Sequence, residues 1–233
     1  LPFDLQAPGN ATNSEGAIIL LYFSMKARNN VSDTPRLARF ALTNKCNLSC
    51  LHCLAANSFI DRSEIEPSTN MLISAFRKLA DAGVERIHFL GGEPSVRSDF
   101  LTLLEEAHHL GLAVSYNTNA IRGDNPYLDA IFAFNLARVV ISIDGFDSNT
   151  NDPIRGIGTY AKAIDFLREL LSRRRQMNRS LPEIAIQTVI TSLWARHPHK
   201  IVEMAISLGV DTLIISDFVP VGRGRAVSSR LSI

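Results

Sequence analysis

Residues 79–90, LADAGVERIHFL, read as the end of a helix followed at once by the start of a strand. An amphipathic stretch runs to Gly83, and an apolar, β-rich run follows a few residues later. Glycine at that junction suits a left-handed helix stop, where a side chain would be strained. The passage recurs as AHHLGLAVSYN (107–117) and AISLGVDTLIIS (205–216), with Gly111 and Gly209 in the place of Gly83. Helix then strand, repeated along a chain, is the pattern of an α/β fold with a parallel sheet.

Working outward, short apolar runs predict strands near 37–43, 86–90, 113–117, 138–143, 184–190 and 212–216. Their apolar character predicts a sheet buried on both faces. Between them, Phe100, Leu103, Leu104, Ala107 and Leu110 follow helical spacing, with Asp99 placed to cap. Ile164, Leu167, Leu170 and Leu171 repeat that spacing, as do Ile201, Val202, Ala205 and Leu208. Six strand–helix units predict either an open doubly wound sheet or an incomplete (β/α)6 TIM-like barrel. Residues 1–35 read as a preamble: a Pro/Gly/Asn-rich start, one apolar strand and a polar linker.

The 233 residues are 46% hydrophobic and 20% charged, ordinary for one soluble domain with a sizeable core. A net charge of +1 gives no electrostatic case for a nucleic-acid or membrane partner. The run Arg173-Arg174-Arg175 reads as a solvated helix end. No segment approaches the roughly 20 apolar residues needed to span a bilayer. Ala17 to Phe23 suits a buried strand and lacks the flanks of a signal peptide, so a cytoplasmic location is expected.

The unusual residues fall after the predicted strands, where parallel α/β folds collect their functional groups. Cys46, Cys50 and Cys53 follow the first strand and are the only cysteines. Three within eight residues make a poor disulfide framework and suggest metal. Their C-x3-C-x2-C spacing suits an iron–sulfur cluster with one open iron, or zinc with His52 as a fourth ligand. Gly91-Gly92-Glu93-Pro94 follows the second strand. Its glycines permit close backbone approach to a ligand, and its glutamate can accept from an ammonium group. Asn117 and Asn119 follow the third strand, Ser142 and Asp144 close the fourth, and Thr191 follows the fifth.

Cys46 to Cys53, followed about forty residues later by HFLGGEPSVRSDF, resembles the radical S-adenosylmethionine (SAM) superfamily. The resemblance covers roughly residues 36–226. It implies a [4Fe–4S] cluster on Cys46, Cys50 and Cys53, with SAM chelating the open iron. It implies that Gly91, Gly92, Glu93 and Pro94 position the SAM ammonium, with Gly92 and Glu93 the main contacts. Ser142 and Asp144 would meet the SAM carboxylate and ribose, and Arg155 would pair with the carboxylate. His52 stands where the family has an aromatic residue, near the adenine. Asn117 and Asn119 would face ribose or substrate, and Thr191 would lie beside adenine. The implied chemistry is reductive SAM cleavage to a radical that removes hydrogen from substrate. A flavodoxin-like or ferredoxin-like electron donor goes with it.

The stretch Phe218 to Arg225, FVPVGRGR, resembles the end of the catalytic core in enzymes carrying a SPASM or twitch domain. Those include peptide-modifying enzymes, the pyrroloquinoline quinone maturase and haem-modifying enzymes, so a peptide or small-molecule cofactor precursor is the implied substrate. Residues 227–233 would then begin a linker to a further domain. The molybdenum-cofactor cyclase branch also has the GGEP motif, but His88 replaces its arginine here. Two other classes stay open on the residues alone: a non-catalytic zinc or iron–sulfur module, and a SAM-binding scaffold.

Overall fold

The computed structural model describes residues 35–54 and 66–233. The preamble strand expected near Ala17 to Phe23 lies outside the described residues. Six strands, β1 (Leu37–Thr43), β2 (Arg86–Gly91), β3 (Ala113–Thr118), β4 (Arg138–Ser142), β5 (Glu183–Val189) and β6 (Thr212–Ser216), stand within one residue of the sequence expectation. They form one sheet in the order β1-β2-β3-β4-β5-β6, every pairing parallel. A doubly wound sheet needs a reversal in strand order, and this one has none. Of the two expected architectures, the structure is the incomplete (β/α)6 barrel, with β1 and β6 as its edges.

Helices α1 (Thr69–Asp81), α2 (Phe100–His109), α3 (Asn125–Ala133), α4 (Ser148–Arg155), α5 (Thr159–Gln176), α6 (Pro198–Leu208) and α7 (Ser228–Leu231) connect and flank the strands. Gly83, Gly111 and Gly209 take φ of +88°, +73° and +75°, the left-handed stops expected of them. Asp99 does precede α2, but its carboxylate caps nothing. It accepts instead from Arg97 at 2.8 and 2.7 Å and from Thr69 at 2.6 Å. A guanidinium in reach outcompetes a backbone N–H for the same oxygens. On α6, Met204 is buried where Val202 was expected to be, so the helix presents a slightly rotated face.

The core lies between the strands and the helices. An aromatic chain crosses it, from Phe40 to Phe76 at 5.1 Å, Phe76 to Phe89 at 5.4 Å and Phe100 to Tyr116 at 5.4 Å. These edge and tilted contacts tie β1, α1, β2, α2 and β3 into one body. Burial on both faces, the expectation from the apolar runs, holds only at the centres of β4 and β5. On β1, β2 and β3 burial alternates with period two, because the curved sheet turns its inner face away from the helices. Among the described residues no helix is long and apolar enough to cross a membrane.

Candidate active site

The cysteine loop and the GGEP turn meet at the C-terminal rim of the sheet. Beyond the last β1–β2 pair, the Gly92 N–H donates to the Thr43 carbonyl at 2.7 Å and the Glu93 N–H to the Lys45 carbonyl at 2.9 Å. A Cβ on Gly91, whose φ is +137°, would lie 2.4 Å from the Thr43 carbonyl oxygen. One on Gly92 would lie 2.1 Å from the Lys45 carbonyl oxygen. What these glycines admit is therefore the cysteine loop itself, and a side chain at either would push that loop away. Pro94 then opens a 3₁₀ turn, Pro94–Val96.

Glu93 is 1% exposed, yet its carboxylate is well supplied. Oε1 accepts from the Ser95 N–H at 3.2 Å, the Ser95 hydroxyl at 2.7 Å and Thr118 at 3.0 Å. Oε2 accepts only from the Asn119 N–H at 2.7 Å, which leaves it one lone pair for a cationic guest. Burial pushes the Glu93 carboxyl up, and these donors oppose that without cancelling it.

Cys50 is buried, Cys53 half-buried and Cys46 exposed, and all three thiols are free. Burial pushes the Cys46 and Cys50 thiols up. The Leu48 N–H, 3.4 Å from the Cys46 sulfur, and the Arg155 guanidinium near Cys50 pull the other way. Among the described residues no three His, Cys, Asp or Glu side chains converge on one ion. Three soft thiolate donors within eight residues on one loop suit an iron–sulfur cluster with one open iron.

His52 turns to the end of β4. Its Nε2 lies 2.8 Å from Asp144 Oδ2 at the end of β4, and its Nδ1 is buried without a partner. Asp144, 1% exposed, accepts as well from Arg155 at 2.5 Å and from the Val189 N–H at 2.8 Å. Burial would raise the Asp144 carboxyl, but Arg155 and His52 override it and hold it well below the usual carboxylate range. Arg155 belongs to this buried network and is no surface arginine. Asp144 thus holds Arg155 and His52 on Oδ2, while Oδ1, with only the Val189 N–H on it, keeps one lone pair unspent.

The remaining expected residues divide. Asn119 donates to Asn47 at 2.7 Å and approaches the Cys46 sulfur at 3.7 Å, so it serves the cysteine loop. Asn117 lies on the inner face and donates to Gln187 at 2.7 Å. Ser142 is half-buried on that face, in register with Gln187. Thr191 is fully buried, its hydroxyl unpartnered, as is that of Thr188.

Ser95, Thr118, Gln187 and Arg223 were missed by sequence reasoning. The donors to Glu93 sit two residues along and at the end of the neighbouring strand, a placement that strand register could have indicated. Nothing local marks Gln187, and Arg223 lies within the FVPVGRGR stretch without having been singled out there.

The fold and rim together define an α/β barrel enzyme class built around a three-thiol loop. The family model for the radical SAM superfamily matches residues 40–178, and the chain belongs to that superfamily. Mycofactocin maturase MftC of Mycolicibacterium smegmatis is 32% identical over 84% of this chain and 47% of its own length. PqqA peptide cyclase of Xanthomonas axonopodis pv. citri is 29% identical over 78% of this chain and 46% of its own. The chain therefore spans about half the length of the curated relatives it matches. Streptococcus suis SuiB bound to S-adenosylmethionine shares the fold with a TM-score of 0.68, at 20% identity over 80% of this chain and 41% of that one.

Membership brings the family's cofactors, a [4Fe–4S] cluster and SAM. The rim fits them: soft thiolate donors on one loop, a lone pair left on Glu93, and unpartnered buried atoms on His52, Thr188 and Thr191.

Proposed function

We propose that this chain is the catalytic core of a radical SAM enzyme that modifies a peptide or a peptide-derived cofactor precursor. The carrying observation is the three-thiol loop, fastened by the Gly92 and Glu93 N–H groups to the rim beside the Glu93 carboxylate. The relatives' names, a maturase and a peptide cyclase, support the substrate class.

In this reading Cys46, Cys50 and Cys53 hold the cluster. Glu93 Oε2 and the backbone of Gly92 take the SAM ammonium. Arg155, with guanidinium donors beyond the one spent on Asp144, takes the carboxylate, and Ser142 assists from the inner face. His52 and Thr191 border the adenine, with Asp144 holding His52 in place. Asn117 and Gln187 face the substrate. When bound, the cluster and SAM supply the electron and the 5′-deoxyadenosyl radical that removes a substrate hydrogen. The protein's part is to fix these groups and keep water from them.

Residues 36–226 form the core in this reading, 1–35 a preamble, and 227–233 the approach to a further domain. A flavodoxin-like or ferredoxin-like donor in the cytoplasm would reduce the cluster.

Anaerobic reconstitution tests the reading. Expected are a brown protein with the visible absorbance of an iron–sulfur cluster and, with reductant and SAM, release of 5′-deoxyadenosine. Cys46→Ala, Cys50→Ala and Cys53→Ala should each lose both. A colourless protein that binds zinc would end the reading, and a coloured one that never cleaves SAM would favour the scaffold.

A further inference from the structure

The chain segment after β6 turns back onto the cysteine loop. The Arg223 N–H donates to the Cys53 carbonyl at 3.2 Å, and Arg223 Nε donates to the Cys50 carbonyl at 3.0 Å. One residue so grips two of the three cysteine positions from 173 residues along the chain. The local sequence, Gly222-Arg223-Gly224, makes this approach feasible. Gly222 takes φ of +57°, and the missing Cβ of Gly224 would lie 3.0 Å from the Phe218 ring. Side chains at either glycine would strain the turn or lift it off Phe218.

The other ties on the loop act elsewhere. Gly92 and Glu93 hold Thr43 and Lys45, before the first cysteine, and Asn119 holds Asn47. The Ile154 carbonyl accepts from the Leu51 N–H at 2.9 Å. Only Arg223, among the described residues, holds the backbone of Cys50 and Cys53 from another part of the chain. A planar guanidinium beside its own N–H offers donors in fixed geometry, which a flexible ammonium does not.

We propose that Arg223 is a positioning residue for the cluster: it fixes the Cys50–Cys53 half of the loop in the spacing that three-thiolate ligation requires. The proposal rests on the cluster assignment made above, and it gives the closing turn of the barrel a function in cluster retention.

The test is the rate at which the anaerobically reconstituted full chain loses its visible absorbance to an iron chelator, bathophenanthroline disulfonate. Arg223→Ala should lose its cluster about tenfold faster, the equivalent of one charge-assisted hydrogen bond. Arg223→Lys, which keeps one donor in reach of the Cys50 carbonyl, should fall between. The thermal midpoint of the metal-free protein should stay at the wild-type value for both. Bleaching of Arg223→Ala at the wild-type rate would overturn the proposal. So would equal acceleration in both variants with a matching drop in thermal midpoint, since that describes a damaged fold. A wild type that takes up no cluster sinks the radical SAM reading itself, whereas a cluster-loaded wild type beside an unaffected Arg223→Ala sinks only this inference.

Discussion

On β3, Val114 and Tyr116 face the helices and are buried, while Ser115 and Asn117, their immediate neighbours, line the inner face and stay half-buried. The same division runs around the barrel. Phe40, Leu42, Ile87, Phe89, Ile141 and Ile186 fill the outer layer without a polar atom among their side chains. The inner layer carries a polar band instead. His88 bonds Ser115 at 2.8 Å, and Arg138 pairs with Glu183 at 2.7 and 2.8 Å. Folding energy is concentrated on one face of the sheet, and hydrogen-bonding chemistry on the other. The effect of a substitution should therefore follow its face more than its position along the chain.

The hardest blow to that division comes from the outer layer. Phe89 is fully buried against Phe76 and Phe100, and Phe89→Ala should cost about 3–5 kcal/mol in urea unfolding. A loss under about 1 kcal/mol would mean the outer layer is not the energetic core. Next comes the seam where the sheet passes into the site. Gly92→Ala forces a methyl into the Lys45 carbonyl, with an overpacking cost of about 1–3 kcal/mol. Because the strain falls on the cysteine loop, cluster uptake should drop more than stability does. Full cluster content in a folded Gly92→Ala protein would show that the loop tolerates displacement.

The outer layer was also the legible one. Strand positions followed from apolar runs, and helix ends from Gly83, Gly111 and Gly209, because burial and backbone strain act on the residue that carries them. The site was legible where chemistry is compact: three cysteines in eight residues, and four motif residues in a row. It was illegible where function comes from pairing. Asp144 and Asn119 stood in the expected place, but their partners, Arg155 with His52 and Asn47 with Cys46, depend on which loops meet at the rim. Arg223 sits 173 residues from Cys50, and no periodicity reports a contact of that span. The inner face was misjudged for a related reason. The apolar runs suggested burial on both sides of β1, β2 and β3 as well as of β4 and β5, while curvature, a property of the whole sheet, decides what the inner side meets.

The inner layer makes its own prediction through His88. Its imidazole is held down to about 4, by burial first and then by the cations of Arg39 and Arg138. An unfolded chain has its histidine near 6.5, so between pH 6.5 and 4 the unfolded state binds more protons than the native one. Stability should fall as pH drops through that window, with a His88 contribution to the slope of at most about 1.4 kcal/mol per pH unit. Above pH 6.5 the contribution is fully present and flat. His88→Gln should flatten the slope between pH 6.5 and 4 relative to wild type, while leaving stability at pH 8 within about 1 kcal/mol. Equal slopes in the two proteins would remove His88 from the polar band.

The smallest effect expected is the most diagnostic of the inner face. Asn117 and Gln187 share one 2.7 Å hydrogen bond across the barrel, and both are only half-buried. Water can replace either partner there, so Asn117→Ala and Gln187→Ala should each cost no more than about 1 kcal/mol. A double-mutant cycle should return a coupling of about 0.5–1 kcal/mol, the net value of a partly solvated bond. A coupling above about 2 kcal/mol would mean that the pair is sealed from water and belongs energetically with the outer layer. The two faces would then no longer divide stability from chemistry, and these residues would have to be read as structural members of the barrel wall.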